Sequence, residues 1–243
     1  MTTIPTMTTM TTKYNILVCD DERDIVSALK IYLEAEGHRV IAAYNGREAL
    51  EAVRKNEIHL VLMDIMMPEV DGISAMVSLR QESNVPVILL TAKGEDSDKI
   101  LGLNVGADDY ITKPFNPVEV CARVKAQLRR YMQLGAGGET GGILRVGSIE
   151  LDDRKKAVFR DGEEVSLTPT EYDILKLLIS HPGEVFSPKS IYVKVWNDSP
   201  YGAESTVAVH IRHLREKLEI NPAEPRYLKV VWGQGYKLEG EKQ

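Results

Sequence analysis

The chain has 243 residues, long enough for two ordinary domains, and its 43% hydrophobic and 27% charged content is that of globular material. Its net charge of −6 excludes nucleic-acid binding through bulk positive charge, and neither half is net basic, so any such contact must come from local clusters. No apolar run reaches the length of a membrane span, and the two cysteines, Cys19 and Cys121, lie in apolar segments without metal-ligand spacing, so they read as small buried hydrophobes. A cytoplasmic protein is expected.

Residues 1–13 open with "MTTIPTMTTMTT", a Thr/Met tract without the basic end and apolar block of a signal peptide, and a disordered tail is expected there. From residue 14 short β-branched runs recur: "NILVC" (15–19), "RVIAAY" (39–44), "HLVLMD" (59–64), "PVILLT" (86–91) and "YIT" (110–112). Helical patterns lie between and after them. In "DIVSALKIYLEAEG" residues Ile25, Leu29, Tyr32 and Leu33 share a face and Gly37 ends the helix, and from Pro117 to Tyr131 residues Val120, Val124 and Leu128 form a stripe. Alternating β and α units predict an α/β fold with a five-stranded parallel sheet covered on both faces.

In such sheets ligands bind beyond the carboxyl ends of the strands. The first run ends in Asp20-Asp21, the third in Asp64 and the fourth in Thr91, and Lys113 follows the fifth. Parallel strands bring all five to one edge. Three ionised carboxylates there require a cation, and Mg²⁺ suits one or two carboxylates together with phosphate oxygens. A hydroxyl and an ammonium beside them suit a phosphoryl group, which makes Asp64 a candidate carboxylate nucleophile.

The stretches "VCDDERDIV", "MDIMMPEVDG", "ILLTAK" and "GADDYITKPF" resemble the receiver domain of two-component response regulators, over about residues 14–131. The resemblance implies a flavodoxin-like fold with Asp64 as phosphoacceptor. Asp21, Asp64 and the Met66 carbonyl would hold Mg²⁺, with Asp20 assisting through water. Thr91 and Lys113 would bind phosphoryl oxygens, Tyr110 would be the aromatic whose rotamer reports the site's state, and the Lys113-Pro114 bond would often be cis. A phosphorylation-dependent homodimer is implied as well, with Lys99 pairing Glu119, Asp109 pairing Arg123 and Asp108 pairing Arg130 across a two-fold axis. Haloacid dehalogenase-type phosphatases use a similar set but need an acid/base Asp two residues after the nucleophile. Met66 stands there and cannot transfer a proton, which favours a switch, at most self-phosphorylating and self-dephosphorylating, over a turnover enzyme.

"QLGAGGETGG" (133–142) is Gly-rich and aperiodic, so residues 132–142 read as a flexible linker. Beyond it come "LRVGSIELD" and "KAVFRDGEEVSL", with Asp161-Gly162 as a hairpin turn. Thr168, Pro169 and Glu171 announce a helix start with a capping box, and Tyr172, Leu175, Leu178 and Ile179 form its core stripe. A second helix opens at Ser187-Pro188 and runs to about Trp196. A third covers about residues 204–218, with Val207, Ile211, Leu214 and Leu218 toward the core. Val209, Arg212, His213 and Glu216 are expected on its outward face, flanked by His210 and Arg215. The final segment reads as two strands about a Gly-rich turn, with Arg226, Lys229 and Lys237 and no acidic residue between them.

A helix with Arg and His outward beside a basic hairpin suits a major-groove helix with a phosphate-contacting wing. "LTPTEYDILKLL", "VHIRHLREKL" and "VVWGQGYKL" resemble the winged-helix domain of the OmpR/PhoB subfamily over about residues 143–239, and the wording is shared with response regulators of vancomycin resistance. The expected DNA-binding residues are His210, Arg212, His213, Arg215, Lys229, Trp232 and Lys237. Many members carry Arg at the wing position of Trp232, so minor-groove readout there is not carried over. The implied function is a phosphorylation-activated transcriptional regulator. Its partners would be a sensor histidine kinase, promoter DNA with paired half-sites and RNA polymerase. The alternative is a switch whose second domain binds a protein.

Overall fold

Five β-branched runs form one parallel sheet: β1 (Asn15–Cys19), β2 (Arg39–Ala43), β3 (Leu60–Asp64), β4 (Val87–Ala92) and β5 (Asp109–Lys113), in the order β2-β1-β3-β4-β5. The computed structural model describes residues 14–92, 106–135, 142–196 and 203–240. The expectations for residues 1–13, for Lys99 and for most of the linker lie outside the described residues, as does the side chain of Arg130.

The strands explain the two-sided cover. Side chains alternate along a strand, so a strand buried on both faces must be apolar at every position. Ile16, Val18, Leu60, Leu62, Ile88 and Leu90 pack on one side against α1 (Arg23–Ala35) and α4 (Pro117–Gly135), through Leu29, Leu33, Val124 and Leu128. Leu17, Cys19, Val61, Met63, Val87 and Leu89 pack on the other against α2 (Gly46–Lys55) and α3 (Gly72–Glu82). The α1 stripe is turned slightly from the expected one. Val26, Leu29 and Leu33 are buried while Tyr32 is exposed, because the tyrosine hydroxyl is better placed in water. Helix α4 runs through Gly135, past the expected end at Tyr131.

The second domain begins with a four-stranded antiparallel sheet, β6 (Ile143–Val146), β7 (Ile149–Asp152), β8 (Ala157–Arg160) and β9 (Glu163–Glu164). Asp161 and Gly162 take φ of 52° and 86°, the left-handed pair that a two-residue hairpin requires. Three helices follow: α5 (Pro169–Ile179), α6 (Pro188–Trp196) and α7 (Ala203–Leu218). The capping box of α5 is present in both directions, Thr168 Oγ1 accepting from Glu171 N and Glu171 Oε2 accepting from Thr168 N at 2.9 Å. The hairpin β10 (Leu228–Val231) and β11 (Gly235–Leu238) closes the chain. Val207, Ile211, Leu214 and Leu218 of α7 are buried in the core with Leu175 and Leu178, as their spacing predicts.

The two domains are in contact. Asn84, just after α3, hydrogen-bonds Ser166, and Arg123 of α4 donates to the Tyr192 hydroxyl of α6 at 3.4 Å. The Thr170 side chain of α5 hydrogen-bonds Asp108 beside β5. Val209 of α7 joins the receiver-side apolar cluster of Met76, Leu79, Val85 and Ala107. A cleft of about 280 Å³ lies at the rim of this junction, between Asn84 and Tyr131 on one side and Lys155 to Val158 on the other.

Candidate functional site

Sheet register assembles the first site. β1 pairs with β3 so that Cys19 lies opposite Met63, and the following residues, Asp20 and Asp64, then leave the sheet edge side by side. β5 pairs with β4 at Thr91–Thr112 and Ala92–Lys113, which brings the lysine to the same edge. Carboxylate oxygens of Asp20, Asp21 and Asp64 all lie within 4.8 Å of one another. Lys113 Nζ stands 2.8 Å from Asp20 Oδ2, 2.9 Å from Asp64 Oδ2 and 3.6 Å from Glu22 Oε1. The Lys113-Pro114 bond is cis.

These contacts set the charges. Burial pushes the Asp64 carboxyl above the ordinary carboxylate range, although the Lys113 ammonium and the Met66 backbone N–H both favour its charged form. Burial alone would lower Lys113, but its close contacts with the Asp20 and Asp64 carboxylates outweigh it and hold the ammonium above its usual value. Asp20 Oδ2 is buried and, despite the nearby ammonium, has no aligned hydrogen bond, which leaves a lone pair for a further cation. Three carboxylate oxygens with no nitrogen or sulfur are the donor set of a hard divalent ion. Thr91 is buried at the same edge and Tyr110 is half-buried. Met66 is 62% exposed, beside an Asp64 that is 5% exposed.

One residue of this site escapes a reading by residue type. Gly72 opens α3, and a Cβ there would stand 2.1 Å from the carbonyl oxygen of Asp64. The α3 N-terminus is therefore drawn against the strand end that carries the carboxylate, with Gly72 N donating to Ile65 O at 2.9 Å. The Asp-Gly pair in "MMPEVDG" is the only sequence trace of it. Cys19, beneath the site, is pushed up to about 12 by burial and then by Asp20, and is a packing residue, as its surroundings suggested.

Within the single chain the described dimer-face charges are already engaged. Arg123 Nη1 lies 3.0 Å from Asp109 Oδ2, and Arg123 Nε lies 3.2 Å from Glu119 Oε1, all within one chain. Asp108 is fully buried and paired with Arg80 at 2.9 Å. The same Arg80 donates to the carbonyls of Gly106, Ser83 and Val85, so Asp108 is part of an interior clamp, not a surface charge.

The α7 face also differs from expectation. Val209, His210 and His213, expected outward, are 8%, 1% and 6% exposed. His210 packs on Trp196 with ring centroids 5.6 Å apart, and His213 Nδ1 lies 3.5 Å from Glu171 Oε1. For Val209 the physical reason is the domain contact, since it enters a cluster of receiver residues, while His210 and His213 are covered by Trp196 and Glu171 of their own domain. A helical wheel sorts a helix against its own domain's core and cannot register a second domain. Arg212 keeps the outward position, with Nε 2.8 Å from Glu216 Oε1 one turn on. Arg215 is half-buried and donates to Leu228 O at 2.8 and 3.0 Å, which ties α7 to the wing. On the wing, Lys229 and Lys237 stand opposite each other across the hairpin, bonded to Pro225 O and Glu239 respectively. Trp232 is 89% exposed at its tip.

The model of the response regulator receiver domain matches residues 16–125, and that of the transcriptional regulatory protein C-terminal domain matches residues 162–238. The regulatory protein VanR of Enterococcus faecium is 41% identical over 226 residues, covering 92% of this chain and 98% of that protein. The chain belongs to the two-component response regulators, in the OmpR/PhoB group. This response regulator is also 41% identical over 228 residues to the transcriptional regulatory protein SrrA of Staphylococcus aureus, covering 92% of this chain and 95% of that one. Its fold matches that of a RitR mutant with a TM-score of 0.75 over 94% of this chain and all of that one, at 23% identity. A receiver joined to such a domain makes a sensor kinase and DNA the partners of this response regulator. Among the described residues, no helix is long and apolar enough to cross a membrane.

Proposed function

We propose that this response regulator is switched by phosphorylation of Asp64, and that the phosphorylated chain dimerises and occupies paired half-sites on promoter DNA. The observation that carries the reading is the convergence of Asp20, Asp21 and Asp64 within 4.8 Å, with Lys113 on Asp64 at 2.9 Å. An Asp64 oxygen attacks the phosphorus of a kinase phosphohistidine, the new O–P bond forms as the P–N bond breaks, and the leaving imidazole takes up a proton. Mg²⁺, when bound, neutralises charge on the transferring group. Asp21, Asp64 and the Met66 carbonyl would hold it, with Asp20 assisting.

The chain's own residues do the rest. Lys113, already charged and within reach of Asp64, pairs with a phosphoryl oxygen, and the Thr91 hydroxyl donates to another. Met66 offers no proton donor or acceptor in its side chain, so nothing there activates water against the acyl phosphate. The group then persists long enough to act as a signal, and the protein is a phosphoacceptor without turnover on other substrates. Once bound to DNA it acts with RNA polymerase.

The test is labelling with a small acyl phosphate, read as a mass increase on Asp64. Labelling should require Mg²⁺ and vanish in Asp64→Asn. Undiminished labelling of that variant would move the site elsewhere.

A further inference from the structure

Two imidazoles and a carboxylate converge inside the winged-helix domain, apart from the acidic edge of the receiver. His210 and His213 stand three residues apart on α7, so they share a face. Glu171 reaches them from the first turn of α5. All three are buried, at 1%, 6% and 1% exposed. One nitrogen of each ring and one Glu171 oxygen lie within 4.8 Å of one another, and the two rings stand nearly perpendicular with centroids 6.3 Å apart. We propose that Glu171, His210 and His213 form a binding site for a divalent transition metal of the zinc class, which fastens α5 to the helix that carries Arg212.

Donor chemistry selects the metal. Imidazole nitrogen with carboxylate oxygen suits Zn²⁺, whereas Mg²⁺ takes oxygen ligands, as the receiver's carboxylates offer. Zinc bonds of about 2.0–2.2 Å in a tetrahedron put ligand atoms about 3.3–3.5 Å apart. His213 Nδ1 and Glu171 Oε1 already stand at 3.5 Å, and a small rotation of the His210 ring completes the set. Glu171 is prepared for the role. Its Oε2 accepts from Thr168 N at 2.9 Å and from Lys217 Nζ at 2.6 Å. These contacts fix the carboxylate with Oε1 toward His213, as partners behind a metal ligand do. The capping box of α5 needs only Oε2, so it accounts for neither the second oxygen nor the imidazoles. Against the cost of burial, contacts from His213 and Lys217 hold the carboxyl down to about 2, so it is charged before a metal arrives. Lys217 opposes a second cation most directly, and it lies on the other oxygen. Arg80, a further cation acting on Glu171, is paired with Asp108. Trp196 packs on His210, and Tyr192 stacks on Trp196 with centroids 4.7 Å apart, an aromatic shell that keeps bulk water from the ion. Three protein ligands leave a fourth position for a single water.

The test is a calorimetric titration of the untagged, chelator-treated full chain with Zn²⁺ in millimolar Mg²⁺, which competes for the receiver's carboxylates. One tight equivalent should bind, and Co²⁺ in its place should give the visible absorption of a four-coordinate site. Zinc at a hundred times its dissociation constant should shift the unfolding equilibrium of the winged-helix domain about a hundred-fold toward the folded form. His210→Gln and His213→Gln should each weaken zinc binding about ten-fold or more, with circular dichroism checking their folds. No zinc binding by the wild-type chain would overturn the proposal. Equal affinity in both folded variants would overturn it as well, by placing the ion elsewhere. Should the variants not fold, the imidazole NMR signals of the wild-type chain decide: zinc must move those of both His210 and His213, and unmoved signals would sink the site.

Discussion

Arg123 and Asp109 are joined within one chain at 3.0 Å, on a face that the resemblance to the receiver family assigns to pairing between two chains. Both groups are mostly buried, and burial of an ion pair is tolerated only while each partner remains. Charge reversal at Arg123 places a second carboxylate against Asp109 and Glu119. Arg123→Glu should leave Asp64 labelling intact, abolish the phosphorylated dimer and loosen the domain contact. Sedimentation of the labelled variant checks this, and a normal dimer would remove Arg123 from the face.

Gly72 is a structural requirement of the phosphoacceptor. A methyl group there would meet the Asp64 carbonyl at 2.1 Å, so either β3 or the start of α3 must move. Gly72→Ala should cost about 1–3 kcal/mol in unfolding free energy and slow Asp64 labelling more than ten-fold. Denaturant melts with parallel labelling rates measure both. A variant with wild-type labelling would mean that the loop yields without disturbing Asp64.

Glu171 gives the winged-helix domain an acid limit. Burial alone would raise its carboxyl, yet hydrogen bonds from His213, Lys217 and the Thr168 backbone outweigh it and hold the value down to about 2, from an ordinary 4.5. The folded value is depressed, so this stability is present above pH 4.5 and is lost as the pH falls from there toward 2. The loss should be on the order of 3 kcal/mol across that window. Glu171→Gln should flatten this segment of the stability curve, as acid titration of the unfolding midpoint would reveal. An unchanged curve contradicts the assignment.

Arg212 is the base-reading candidate that this structure leaves largely in solvent, its guanidinium paired with Glu216. Arg212→Ala should cost about 1–3 kcal/mol on a specific site and relax sequence preference there. Loss of Lys229 or Lys237 should instead weaken every sequence alike and make the salt slope shallower by about one unit. Competition binding on matched and scrambled duplexes separates the two behaviours.

The sheet and its acidic edge were legible because strand ends and strand order fix where Asp20, Asp64, Thr91 and Lys113 must meet. The α5 start was legible for a similar local reason, Thr168, Pro169 and Glu171 being a complete cap in four residues. The surroundings of Val209 were not, since helical periodicity reports the nearest core alone and its cover comes from receiver residues distant in sequence, nor were those of His210 and His213, whose partners Trp196 and Glu171 lie on other helices. Asp108 misled in the same manner. The family resemblance assigned it to a dimer face, whereas in this chain Arg80, 28 residues earlier, pairs with it in a buried clamp. The cap residue Glu171 carries a load from His213 and Lys217 that no local pattern announces. Gly72 was visible as a turn glycine, but its closeness to Asp64 depends on the return of α3 to the strand end.

The most direct test of the account is footprinting of the region upstream of the gene with the full chain, before and after acyl-phosphate treatment, beside Asp64→Asn treated in the same way. The account predicts protection of two adjacent half-sites by the phosphorylated wild-type chain, and little protection by the untreated chain or by Asp64→Asn. Equal protection by all three would contradict it.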